Sequence, residues 1–229
     1  MTLPHRTGEQ PAPGTGDRLL VVVAVPAEAD AVRRGAPADR VTVVTAGVGP
    51  AAAATATALA LAAERHPLVV SAGIAGGFAP HAPIGTVVAA DAIVAADLGA
   101  QTPEGFRDVA ELGFGTAAHT PPPELVALLA AATGALTGPV LTVSTVTGSA
   151  QRAAELAARH PGAAAEAMEG FGVAEAAARL RVPALELRTV SNPVGPRDRA
   201  AWRIDEALAA LERAFAALPY DRLLTAAHC

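Results

Sequence analysis

The chain has 229 residues, 52% hydrophobic and 17% charged, which supplies the core of one sizeable α/β domain and excludes a mostly disordered protein. A net charge of −5 leaves no basic footprint for nucleic acid, and all seventeen cationic side chains are arginines, so a pyridoxal Schiff base, a Walker A lysine and a lysine imine are excluded. The single cysteine is Cys229, which rules out an intrachain disulfide and a cysteine-built metal centre and fits a reducing cytoplasm.

Residues 1–17 are rich in Pro, Gly and Thr and read as a flexible leader, with one domain expected over 18–229. Leu19–Val25 is a continuous aliphatic block, as in a strand buried on both faces. A helix is expected from Glu28 to Arg34, a strand over Val41–Thr45 and a helix over Ala51–Arg65. A third strand, Leu68–Ala72, leads into a glycine loop, Gly73–Gly77, and then a strand over Gly85–Ala92. The charge-free run Pro67–Ala90 is long enough to span a membrane, but Gly73, Gly76, Gly77, Pro80, Pro83 and Gly85 break it into strand, loop and strand. Residues 99–123 read as a long loop with at most a short strand. Helices then follow over Glu124–Thr133, Ser149–His160, Glu169–Leu180 and Asp205–Leu218, with strands over Gly138–Thr145 and Ala184–Val190. This alternation predicts a single-domain three-layer α/β/α fold around a central mixed, mostly parallel sheet, with ligands at the carboxyl ends of its strands.

Four segments at those ends can carry chemistry. TAGVGPAAAA sets Gly47 and Gly49 between a strand and a helix, where backbone N–H groups can hold an anion. Gly47, Gly49 and Ala52 also fit G-x-G-x-x-A, but the unit is the second βα pair and no acidic residue ends the next strand, which argues against a dinucleotide. SAGIAGG, residues 71–77, allows a flat or ribose-like ligand to approach backbone closely. AEAMEGFGVAEAAARL puts Met168 and Glu169 at the start of a helix, in the field of its amino terminus. LELRTVSNPVGPRD gathers Arg188, Ser191, Asn192 and Arg197 around the end of a buried strand. Taken singly, each segment has a plainer reading as a tight turn, a first-turn charge or Ser-Asn-Pro turn chemistry. The six histidines show no metal spacing, and neither a metal nor a cofactor is expected.

Five ordered pieces, VVVAVPAEAD, TAGVGPAAAA, SAGIAGGFAP with IGTVV, AMEG and LRTVSN, together resemble the purine nucleoside phosphorylase and nucleosidase superfamily over about Leu19–Leu218, its hydrolytic branch in particular. The resemblance implies an N-ribosyl hydrolase acting on a purine nucleoside, with no cofactor, no nucleic acid and no membrane, and a homo-oligomeric assembly. It assigns Glu28 to the nucleophilic water, Met168 and Glu169 to the ribose, and Ser191 and Asn192 to the purine. Gly73 and Ile74 would line the sugar pocket, Gly47 would be a further substrate-binding residue, Val146 and Thr147 would meet the base through backbone, and Arg188 would support the strand end. The adenine-specific branch has an aspartate where this chain has Asn192. Asparagine is no general acid but donates a hydrogen bond, which suits the acceptors N7 and O6 of a 6-oxopurine such as hypoxanthine. Arg197 or Arg199 would clamp a carboxylate on the substrate's far arm. The alternatives are an adenine-type nucleosidase, a phosphorylase, a non-catalytic nucleoside-binding module and, distantly, an NAD-dependent dehydrogenase. Against phosphorolysis, neither glycine segment carries an arginine where phosphorylases have theirs, and Glu28 would repel phosphate.

Overall fold

A computed structural model describes residues 18–227; the expected leader 1–17 and Cys229 lie outside the described residues. In chain order the elements are β1 (Leu19–Val23), α1 (Pro26–Gly35), β2 (Val41–Thr45), α2 (Pro50–Ala63), β3 (Val69–Gly77), β4 (Val87–Ala95), β5 (Gly99–Thr102), β6 (Gly105–Asp108) and β7 (Ala118–His119). They continue with α3 (Pro123–Thr133), β8 (Leu136–Thr142), α4 (Ala150–Arg159), β9 (Ala165–Ala167), α5 (Gly170–Arg179), β10 (Ala184–Pro193), α6 (Ile204–Ala217) and α7 (Tyr220–Ala226).

Every residue of β1 is buried, and its two faces serve two cores. Leu19, Val21 and Val23 pack with Val32 of α1, Leu129 of α3, Phe215 of α6 and Leu223 of α7, whereas Leu20 and Val22 pack with Ala53 of α2 and Val173 and Ala177 of α5. The period-two alternation of a strand thus feeds helices on both sides, which makes the three layers. β1 pairs in parallel with β2 and β3, and β3 pairs in parallel with the length of β10. β10 also pairs antiparallel with β4, β4 runs parallel to β8, β8 parallel to β9, and β9 returns antiparallel to the end of β3. The sheet is therefore mixed, and five of its strands close on one another.

That closure changes the expected glycine loop. Residues 73–77 continue β3, with Gly76 opposite Glu166 and Gly77 opposite Ala165, while β10 pairs along the other edge. The glycines mark crowding instead of a turn: a Cβ on Gly73 would stand 2.4 Å from Glu28 Oε1, and one on Gly77 would stand 2.1 Å from the carbonyl of Ala82. The strand expected at Gly85–Ala92 sits two to three residues later, since Gly85 adopts φ +88° and belongs to the turn. Residues 99–123 are not a bare loop, for β5 and β6 form an antiparallel hairpin and β7 joins β4. Those strands are short and without an apolar run, so the sequence gives little period to read. β9 and α7 were not expected; the first has only three residues and the second only seven.

α5 lies directly on the start of α2 because residue 172 has no side chain. A Cβ there would come within 2.1 Å of the carbonyl oxygen of Pro50. Gly172→Ala should destabilise the fold by about 1–3 kcal/mol through overpacking, read as a lower urea midpoint with unchanged slope; an unchanged midpoint would show that the two helices separate freely.

Candidate active site

The carboxyl ends of β1, β3 and β10, with β9 and the loop after β8, surround a cleft of about 440 Å³. Its floor is organised by Arg188, a β10 residue only 1% exposed. The Arg188 guanidinium bonds Glu186 Oε1 through Nε at 2.9 Å, and through Nη2 it reaches Glu169 Oε2 at 3.2 Å and Ser71 Oγ at 3.1 Å. Burial alone would lower its pKa, but the charges of Glu186, Glu169 and Glu28 outweigh that and hold it above its ordinary value. Glu186 is fully buried, and burial pushes its carboxyl upward against the pull of Arg188. Its carboxylate occupies the place a side chain at residue 170 would need, 2.2 Å from a Cβ built on Gly170.

Glu28 enters from the first turn of α1, next to Pro26, and is 3% exposed. Its Oε2 accepts from the N–H groups of Ala24 at 2.9 Å and Val25 at 3.2 Å, and its Oε1 accepts from Ile74 N–H at 2.9 Å. Desolvation raises the carboxyl above the ordinary 4.5, with Arg188 and these three N–H donors opposing it. Glu169 sits at the amino-terminal boundary of α5. Its Oε1 accepts from Gly49 N–H at 3.2 Å and its Oε2 from Met168 N–H at 3.3 Å. The anion-holding capacity expected of the Gly47–Gly49 loop is thus used on the protein's own carboxylate.

On the opposite side, Ser191 and Asn192 lie within β10, at a bulge and just after it, where the expected strand had already ended. Ser191 Oγ is 2.8 Å from Asn192 Oδ1, and Asn192 Nδ2 donates to the Pro193 carbonyl at 3.0 Å. Ser191 therefore fixes Oδ1 as the acceptor, and the amide keeps one N–H of Nδ2 for a ligand. Val146, Thr147, Met168 and Ile74 also line the cleft. Arg197 lines its outer end together with Trp202, with the guanidinium 5.3 Å from the indole centroid. Arg199 stacks on the same ring at 5.8 Å but is not part of the lining.

Three sequence candidates stand behind the cleft wall. Gly47 donates its N–H to the Ala24 carbonyl, Gly73 gives room to Glu28 and Arg188, and Arg188 itself is sealed beneath the carboxylates. Among the described residues no group of three or more His, Cys, Asp or Glu side chains is arranged to hold a metal ion, and no helix is long and apolar enough to cross a membrane.

Residues 21–223 match the family model of the phosphorylase superfamily. The chain belongs to this superfamily. Within it, the futalosine hydrolase of Streptomyces coelicolor is 60% identical over 214 residues, covering 84% of this chain and 91% of the relative. The futalosine hydrolase of Acidothermus cellulolyticus is 48% identical over 223 residues, covering 88% and 90%. The fold is also that of the 5'-methylthioadenosine/S-adenosylhomocysteine nucleosidase from Neisseria meningitidis, solved with methylthio-immucillin-A, with a TM-score of 0.73 at 19% identity over 87% of this chain and 97% of that one. The native futalosine hydrolase of Helicobacter pylori aligns with a TM-score of 0.72 at 17% identity over 92% and 97%.

In this superfamily member, three residues of the site escaped sequence reasoning. Glu186 had a signal, a lone charge in the apolar strand LEL, and Trp202 had another, as the only tryptophan. Glu166, buried against the cleft, had none, because β9 is too short to show a period. Arg188→Met should cost about 3–5 kcal/mol of stability, since it leaves buried carboxylates without their cation; urea unfolding checks this, and a near-neutral result would mean that the carboxylates neutralise without it.

Proposed function

We propose that the cleft hydrolyses the N-ribosidic bond of futalosine and releases hypoxanthine, a step of the alternative menaquinone route. The observation that carries the reading is Asn192 in the lining of the cleft, its Oδ1 held by Ser191 and one N–H of Nδ2 bonded to the Pro193 carbonyl, with the other N–H left to donate. A donor that cannot ionise suits the O6 and N7 acceptors of hypoxanthine, and the Streptomyces coelicolor and Acidothermus cellulolyticus relatives are both futalosine hydrolases. An adenine-type nucleosidase, the second reading, shares the fold. It would need an acid at the position of Asn192.

The reaction adds water across C1′–N9. The bond's electron pair leaves with the purine, positive charge develops on the sugar, the water oxygen bonds to C1′ and the water protons end on base and sugar. Glu28 takes a proton from the water. Glu169 accepts from the ribose hydroxyls with Met168 beside the sugar, and Asn192 stabilises the negative charge collecting on the departing base. Val146 and Thr147 cover the base, Ile74 bounds the sugar, and Arg197 pairs with the carboxylate at the far end of futalosine. The enzyme works as a homo-oligomer in the cytoplasm, a location that fits its single cysteine.

Chromatography of purified protein with futalosine, methylthioadenosine and inosine tests the reading. Hypoxanthine release from futalosine supports it, and adenine release from methylthioadenosine as the main activity overturns it. Arg197→Ala should raise KM for futalosine about tenfold or more and leave KM for inosine, which has no carboxylate, in place; an equal rise on both removes the clamp. Glu28→Gln should fold normally and lose at least about a hundredfold in kcat. Because the ionised carboxylate is the base and burial raises its pKa, wild-type activity should fall with decreasing pH around a midpoint above 4.5. A limb at or below that value would take Glu28 out of the role.

A further inference from the structure

β9 brings into the cleft a second carboxylate that the reaction above does not use. Glu166 is 6% exposed and lines the cleft, and no ion pair holds it among the described residues. The backbone N–H of Thr147 donates to its Oε1 at 2.8 Å and the hydroxyl donates to its Oε2 at 2.5 Å. Both oxygens are fixed in place, and each keeps a lone pair.

Its place in the sheet sets it opposite Asn192. Glu166 pairs with Gly76 on one edge of β3, and Asn192 pairs with Gly76 on the other. Adjacent strands are about 4.8 Å apart, so the two residues stand roughly 10 Å apart with a glycine between them. A Cβ on Gly76 would lie 3.0 Å from Val194 Cγ2 and 3.4 Å from Asn192 Nδ2, so the glycine leaves room beside the amide. Both residues line the cleft, so a planar base between them can meet a hydrogen-bonding group at each side.

We propose that Glu166 is the second half of the base-reading pair, accepting the N1–H of a 6-oxopurine while Asn192 donates to its O6/N7 edge. The inference rests on the proposed reaction for the identity of the leaving base. Hypoxanthine carries a hydrogen at N1 and an acceptor at O6. Adenine carries a lone pair at N1 and an amine at C6, so it would set acceptor against acceptor at Glu166 and would leave Asn192 only N7 to pair with, with a donor at C6 in place of O6. A site built this way rejects the wrong base chiefly through the acceptor left unpaired at Glu166, a stronger discrimination than shape alone provides. The Thr147 donors, with the more distant charge of Arg152, offset the burial of this carboxylate, and they fix the loop that covers the base.

Two measurements test the assignment. The first is binding of free hypoxanthine and 1-methylhypoxanthine to the wild-type protein by calorimetry. The methyl group removes the donor, and hypoxanthine should bind at least about tenfold tighter; equal affinities overturn the proposal. The second compares kcat/KM of wild type and Glu166→Gln on futalosine and on its counterpart bearing adenine. A glutamine offers either polarity to N1, so the preference for hypoxanthine should fall about tenfold or more, mainly through a higher KM for futalosine. An equal loss on both substrates would make Glu166 a support for the Thr147 loop alone and would overturn the inference. Failure of wild type to cleave futalosine would count against the proposed reaction, while the comparison of free bases would still decide the role of Glu166.

Discussion

The site depends on one buried cation. Arg188 lies almost without solvent among Glu28, Glu169 and Glu186, which arrive from α1, the start of α5 and β10 itself. Carboxylates are expensive to bury, and they persist in an interior only when a partner and hydrogen bonds compensate them. Here the arginine supplies the partner, while the N–H groups of Ala24, Val25, Ile74, Gly49 and Met168 supply the rest. The glycines at 73 and 170 follow from the same cluster, since a side chain at either would collide with its carboxylates. A strand–glycine–strand pattern that looks like a flexible loop is instead a rigid clearance for charge.

The consequence for chemistry is polarity across the cleft. In the proposed reading the sugar end faces Glu28 and Glu169, and the base end faces the Asn192 amide with Glu166 across from it. That distribution favours a transition state with positive sugar and negative purine, and it disfavours an inorganic phosphate beside Glu28. Water is the nucleophile that such a site tolerates. The raised pKa of Glu28 suits the same end, because a carboxyl held above its ordinary range is a stronger base toward that water once ionised.

Much of this was legible in the sequence, for identifiable reasons. Glu28 stands where β1 gives way to α1, so position alone put it at the carboxyl edge of the sheet, Glu169 was legible as a charge at a helix start, and β1 announced its double burial through five consecutive aliphatic residues. Glu166 was invisible because a three-residue strand carries no periodicity, and its significance comes only from a register that joins residues 76, 166 and 192. Arg188 was read as support for a strand end, yet its burial and its triple partnership emerge only when three distant segments meet. Closure of β3, β10, β4, β8 and β9 on one another is likewise a long-range fact, absent from any local pattern.

The most direct test of the charge cluster is the identity of the nucleophile. With futalosine turned over in saturating inorganic phosphate, phosphorus NMR should show no sugar 1-phosphate, and the free sugar should form at the rate seen without phosphate. Accumulation of the sugar 1-phosphate would contradict the account, because it would mean that an anion reaches C1′ past Glu28 and Glu169.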